Sequence, residues 1–192
     1  MRPGIADPAL LTVPNLLTFG RIAAVPVLVA LFYLPGSASA YATFIVFVAA
    51  SVTDFFDGYL ARRLNQFSTL GRILDPIADK LLVAAALIML AAFDRAPAIA
   101  VAAILCREVL IAGLREALAG RTVLHVTMLA KAKTATQMAA IALLLIAPAI
   151  GAGWFWAIGE AALWLAVVLS WLSAAGYLRS AWDAVTGTAR AD

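Results

Sequence analysis

Six apolar runs, each about as long as a bilayer is thick, decide what this chain can become. They lie near residues 15–34, 41–62, 72–93, 97–118, 131–149 and 154–178 of a 192-residue sequence. A membrane-crossing helix uses about 20 apolar residues, so six take about 120 and leave roughly 72 for ends and connections. Seven or eight would leave almost no loops. Ordinary soluble domains are about 45–50% apolar and about 25% charged. This chain is 65% hydrophobic and 13% charged, with a mean hydropathy of +0.98. That balance excludes a soluble enzyme, a disordered chain, a fibrous repeat and a coiled coil. The expectation is an all-α, polytopic membrane protein with six transmembrane helices, forming one domain over residues 1–192.

The breaks between runs carry turn chemistry. Pro35-Gly36-Ser37 closes the first, Ala96-Pro97 opens the fourth, and Pro148, Gly151 and Gly153 separate the fifth from the sixth. The run Ile22–Leu34 followed by Ala38-Ser39-Ala40 resembles a cleavable signal peptide. The segment before it is long and only weakly basic, and keeping the first helix makes the helix number even, so retention is expected.

The net charge is +3, from 14 Lys and Arg against 11 Asp and Glu. Its distribution reads as topology rather than as nucleic-acid binding. The connections after runs one, three and five hold no Lys or Arg except Arg95. Those after runs two and four hold Arg62, Arg63, Arg72, Arg121 and Lys131, and the tail adds Arg179 and Arg190. The positive-inside rule then places both termini and both basic loops in the cytoplasm. Cys106, the single cysteine, excludes an internal disulfide and a thiolate cluster, and its apolar neighbours suggest a packed core thiol.

The chemistry concentrates where the second run meets the third. Asp54, Asp57, Gly58, Ala61 and Arg62 are spaced i, i+3, i+4, i+7 and i+8, which on a helix is one face. Gly71, Asp75 and Asp79 follow at i, i+4 and i+8 and give a second stripe on the next helix. A short loop joins the two, so four carboxylates can converge at the cytoplasmic level. Each Asp inserted at a helix centre costs about 2.5–3.5 kcal/mol, and mutual repulsion adds to that. Divalent cations resolve both problems. Oxygen-only ligands favour Mg²⁺ or Mn²⁺, and two ions about 3.5–4 Å apart could bridge the set. Gly58, Ala61 and Gly71 leave room for a ligand against the backbone. The competing reading is small residues for helix packing beside a proton or ion relay.

This string, D-x2-D-G-x2-A-R-x8-G-x3-D-x3-D from Asp54 to Asp79, resembles the signature of the CDP-alcohol phosphotransferase family at every defined position. The family moves a phosphatidyl-type group from a CDP-linked donor to an alcohol, releasing CMP, with divalent metal. The resemblance implies a six-helix membrane fold, usually a homodimer. It implies that Asp54, Asp57, Asp75 and Asp79 bind two Mg²⁺ or Mn²⁺ ions, with Asp79 also a candidate base. Gly58, Ala61 and Arg62 would line the nucleotide site, with Asp54 and Gly71 beside them.

Three further blocks resemble one bacterial branch of that family: Pro14-Asn15-Leu-Leu-Thr18-Phe-Gly-Arg21, Cys106-Arg107-Glu108 through Arg115-Glu116, and Lys131-Ala-Lys133-Thr134 through Gln137-Met. For that branch the donor is CDP-diacylglycerol, the acceptor is glycerol 3-phosphate, and the product phosphatidylglycerol phosphate enters phospholipid biosynthesis. The implied location is the bacterial inner membrane, among membrane lipids, with the site facing the cytoplasm. The residues suit such an acceptor. A phosphorylated alcohol is a dianion, and Arg107, Arg115, Lys131 and Lys133 supply cations near one level. Arg107 and Lys133 lie deeper in their apolar runs. Arg115 and Lys131 could equally make a salt bridge or a headgroup contact. Glu108 stands seven residues before Arg115 and could pair with it. Thr18 and Arg21 could reach the donor diphosphate or the acceptor. His125, alone in a connection, is not expected to be catalytic.

Two rivals remain at this stage. One is the same chemistry with inositol phosphate, serine or phosphatidylglycerol as acceptor. The other is a divalent-cation transporter. A transporter would want its carboxylates near mid-membrane on separated helices, whereas these four lie at the ends of two adjacent ones, beside a repelling Arg62.

Overall fold

The computed structural model describes the backbone of residues 13–64, 69–117 and 128–186. Side chains are described over residues 15–53, at 74, over 76–117 and over 128–179. The described residues form six α-helices and no strand: α1 (Val13–Leu31), α2 (Ser37–Leu64), α3 (Thr69–Ala92), α4 (Ala98–Ala117), α5 (Met128–Ile150) and α6 (Gly153–Thr186). Each of the six apolar runs is a helix. The largest departure is α6, which continues eight residues past the expected end at 178, through a stretch that holds neither Gly nor Pro. Pro148 does not break the chain as expected. It lies inside the last turn of α5, and the break is made by Gly151 at φ 69°, whose N–H donates to the Ala147 carbonyl at 3.1 Å.

The other ends follow from capping. At the end of α3, Asp94 adopts φ 53° and its N–H donates to Ala91 O at 3.2 Å, while the Arg95 N–H reaches Leu90 O at 2.7 Å. These are the two bonds of a Schellman ending, with Asp where Gly is commoner. Partial burial of Arg95 in this connection lowers its guanidinium pKa through desolvation. After α1 the chain tightens into i→i+3 bonds at Phe32, Tyr33 and Leu34 and turns at Gly36, φ 64°.

Contacts gather the chain into two compact units, taken separately here. One is Met1–Met89 with Pro148–Ile150, the other Leu90–Ala147 with Gly151–Asp192. In the first, α1 packs against α2. Leu28 of α1, Phe32 just after it, and Ala40, Phe47 and Ala50 of α2 are buried, as are Ala78, Leu82, Ala86 and Leu87 of α3. Buried hydroxyls turn back on the backbone: Ser39 Oγ donates to Phe32 O at 3.2 Å and Thr43 Oγ1 to Ser39 O at 2.7 Å.

In the second unit α4 packs on α6, and the buried set includes Ile104 and Ile111 of α4, Ile141, Leu144 and Leu145 of α5, and Leu163, Ala166 and Ala174 of α6. Small residues let helices approach closely, the packing that serves in lipid, where apolar burial alone does not drive association. Gly159 shows it. A Cβ there would stand 3.0 Å from Leu144 Cδ2 and 3.1 Å from its Cγ. Gly159→Leu should therefore force α6 away from α5, and overpacking of this kind costs about 1–3 kcal/mol. A thermal melt in detergent should show the midpoint lowered by several degrees. An unchanged midpoint would mean the contact is slack.

Outward faces are apolar. Ile45, Val52, Ile88, Ile99, Val109, Val168 and Leu172 are all exposed, an outer surface that a water-soluble monomer rarely carries. Among the described residues two segments, Met128–Ile150 and Gly153–Arg179, are long and apolar enough to cross a membrane. Cys106 belongs to this outer surface. It is exposed, and not the packed core thiol its neighbours suggested.

Candidate active site

In the first unit, the last three turns of α2 carry Asp54, Asp57, Gly58, Ala61 and Arg62, and the first three turns of α3 carry Gly71, Asp75 and Asp79. Both segments are helical, so the one-face spacing is present in the backbone. The side chains of Asp54, Asp57, Ala61, Arg62 and Asp75, and the surroundings of Gly58 and Gly71, lie outside the described residues. Asp79 is exposed beside the buried Ala78. Among the described residues no three potential metal ligands gather. The donor set itself fits a hard divalent cation: four carboxylates at helical repeats, the last of them on an exposed residue.

Helix α1 contributes a buried polar stripe. Thr18 and Arg21, both expected at the site, are 1% and 2% exposed, and each is engaged by a neighbouring group. Asn15 joins them at 2%. The sequence reading passed over it, although it stands one turn before Thr18 in the same block. The stripe changes character along the helix, becoming apolar at Leu28 and Phe32, so a polar end is set on one end of an apolar pack.

In the second unit, Arg107 of α4 and Lys133 of α5 are 5% and 6% exposed. Both meet one oxygen, Glu108 Oε1: Arg107 Nη1 donates to it at 3.2 Å, and Lys133 Nζ donates to it as well. The rest of the Arg107 fork is turned to α6. Its Nε donates to Ser170 O at 3.0 Å and its Nη2 to Ser173 Oγ at 3.4 Å. A buried guanidinium needs this many acceptors to offset its desolvation. Gln137, one turn beyond Lys133, is also buried, and its Oε1 and the Oγ of Ser170 have no hydrogen-bond partner among the described residues.

The four expected cations thus divide. Arg107 and Lys133 come together through Glu108. Arg115 lies two turns further along α4, about 12 Å by helix rise. Its guanidinium stacks 4.9 Å from the Tyr177 ring centroid of α6, with Nη2 donating to the Tyr177 hydroxyl at 2.8 Å. Glu108 therefore does not pair with Arg115 as expected. Lys131 is exposed, and two residues from Lys133 it points to another side of α5. His125 and Arg121 lie outside the described residues. Ser170, Ser173 and Tyr177 of α6 are not among the residues singled out from the sequence. The signal was two hydroxyls three residues apart in an otherwise apolar run, with a tyrosine one turn further.

The chain resembles known proteins over most of its length. A family model described as CDP-alcohol phosphatidyltransferase matches residues 11–172. A protein of Rickettsia typhi named CDP-diacylglycerol--glycerol-3-phosphate 3-phosphatidyltransferase is 42% identical over 170 residues, covering 87% of this chain and 95% of that one. One of the same name from Shigella flexneri serotype 5b is 40% identical over 174 residues, covering 88% and 94%. An Arabidopsis thaliana chloroplastic/mitochondrial protein of that activity is 41% identical over 187 residues, covering 90% of this chain and 63% of its own. With the family model spanning all six helices from α1 into α6, this chain belongs to the CDP-alcohol phosphatidyltransferase family.

Proposed function

We propose that the chain transfers the phosphatidyl group of CDP-diacylglycerol to glycerol 3-phosphate, giving phosphatidylglycerol phosphate and CMP. The observation that carries the acceptor assignment is the buried pair Arg107 and Lys133. The two buried cations share the carboxylate of Glu108, so the three side chains carry a net positive charge in a place withdrawn from water, and a phosphate monoester is the anion that distinguishes this acceptor from serine or a free alcohol. The names of the 40–42% identical relatives state the same donor and acceptor for those proteins.

In this reading the acceptor hydroxyl oxygen forms a bond to the β-phosphorus of the donor, the bond from that phosphorus to the CMP oxygen breaks, and the hydroxyl proton passes to Asp79. Asp54, Asp57, Asp75 and Asp79 hold Mg²⁺ or Mn²⁺, two ions for four carboxylates. When bound, such ions neutralise the diphosphate and the departing CMP oxygen. Gly58, Ala61 and Gly71 leave backbone open to the nucleotide, Arg62 meets its phosphates, and Thr18 and Arg21 orient the polar end of the donor. Arg107 and Lys133 grip the acceptor phosphate, and Arg115 and Lys131 add attraction at longer range. We further propose six membrane spans in one catalytic domain, both termini and the site on the cytoplasmic side of a bacterial inner membrane, acyl chains in the bilayer, and a homodimer. The apolar outer faces and the charge asymmetry of the connections support the membrane placement.

Purified protein with CDP-diacylglycerol, glycerol 3-phosphate and Mg²⁺ should release CMP one for one with the phosphorylated lipid product and stop on chelation. No CMP release with metal present would overturn the reading. Gly58→Leu should weaken CDP-diacylglycerol binding in the presence of metal and spare the acceptor, because a branched side chain would fill nucleotide space. Unchanged donor affinity would reduce Gly58 to helix packing.

A further inference from the structure

Glu108 is the least explained charge in the second unit. It is a carboxylate beside two cations that, on the acceptor reading above, exist to hold a phosphate. One oxygen, Oε1, receives both Arg107 Nη1 and Lys133 Nζ, and Glu108 and Lys133 each have a further interaction besides. Arg107 remains tied to α6 through Ser170 and Ser173 whatever Glu108 does. The Glu108 side chain is 22% exposed, against 6% for Arg107 and 8% for Lys133, so the carboxylate is the part of the triad that opens outward. The triad carries one net positive charge with Glu108 in place and two without it. Buried nearby are polar atoms with unused capacity, Gln137 Oε1 and Ser170 Oγ, which apolar packing would not place there.

We propose that Glu108 is a built-in competitor for the acceptor site: its carboxylate holds the Arg107–Lys133 cation pair, and the phosphate of the acceptor must displace it. This inference rests on the acceptor reading given above. It makes Glu108 a specificity-determining residue. A neutral alcohol offers nothing to the cations in exchange for the carboxylate. A monoanion offers no more charge than it displaces. A phosphate dianion offers more charge and more acceptor oxygens, and so completes the exchange. Discrimination then arises from the cost of removing an internal anion as well as from contacts to the right one.

The test uses the full chain in detergent, as wild type and as Glu108→Gln. Two quantities are measured: the KM for glycerol 3-phosphate with CDP-diacylglycerol saturating, and the rise in thermal midpoint on titrating inorganic phosphate, with chloride at matched ionic strength as the monoanion. Removing the competing charge should lower the KM about tenfold, on the order of one charge-assisted contact, with kcat changed little. It should also make the variant more strongly stabilised by phosphate than wild type, and lessen the difference between phosphate and chloride. A helix clamp would behave oppositely: the KM would rise or stay unchanged and phosphate would stabilise both proteins alike, and that result overturns the proposal. If Glu108→Gln does not fold, Glu108→Asp carries the same test. Its shorter reach loosens the grip on Lys133, so the competitor account requires a smaller fall in KM and the clamp account a rise. If wild type uses no glycerol 3-phosphate at all, the acceptor reading fails by itself, and the phosphate titration still decides whether Glu108 competes with an anion.

Discussion

Asp79→Asn is expected to lower turnover by about 10²–10⁴-fold, the usual worth of a positioned general base, while CDP-diacylglycerol still binds. Asp79 is the last carboxylate of the stripe and sits on α3 with its side chain exposed, so the amide should not disturb packing. The amide keeps the size of the carboxylate and loses both the proton-accepting oxygen and the negative charge. The account therefore assigns the loss to kcat, with a secondary weakening of metal. Measured kcat at saturating Mg²⁺ within a factor of a few of wild type would remove Asp79 from the mechanism.

Lys133→Ala should raise the KM for glycerol 3-phosphate by about 10–100-fold, matching the 1.5–3 kcal/mol of a hydrogen bond to a charged group, and leave donor affinity unchanged. Lys133 is the cleaner of the two cations to remove. Arg107→Ala should act in the same direction on KM, but it also takes away the bonds to Ser170 and Ser173 that join α4 to α6, and should lower the thermal midpoint as well. The two variants are thus distinguished by stability. A wild-type KM in both would mean that the buried cations serve packing alone.

The six helices were legible in the residues because an apolar run of fixed length has few alternatives. The helix interiors followed the runs, while the ends depended on local chemistry. Gly151 could be read as a breaker, but Pro148 could also, and only the backbone separates a proline in a last turn from one that ends a helix. The depth of Arg107 and Lys133 in their runs indicated burial correctly. Their shared partner was not legible. Spacing along one helix suggests Glu108 with Arg115, yet seven residues is about 10.5 Å of rise, and the true partner Lys133 comes from another helix, which no single-helix period reveals. Cys106 failed for a related reason. Apolar neighbours usually mean a core, but here the exposed faces of the helices are apolar too, and Cys106 lies on one of them. The Arg115–Tyr177 contact was hidden likewise, since it joins residues 62 apart in sequence.

The central claim is that this protein holds a phosphorylated acceptor, and one measurement addresses it directly. Purified wild-type protein is given CDP-diacylglycerol and Mg²⁺ with glycerol 3-phosphate, glycerol, serine, inositol phosphate or phosphatidylglycerol in turn, and CMP release is followed for each. The account predicts efficient release with glycerol 3-phosphate, little with glycerol or serine, and a KM for glycerol 3-phosphate that rises when Lys133 is replaced. Glycerol or serine serving as well as glycerol 3-phosphate would contradict it, because the buried cations would then have no phosphate to hold.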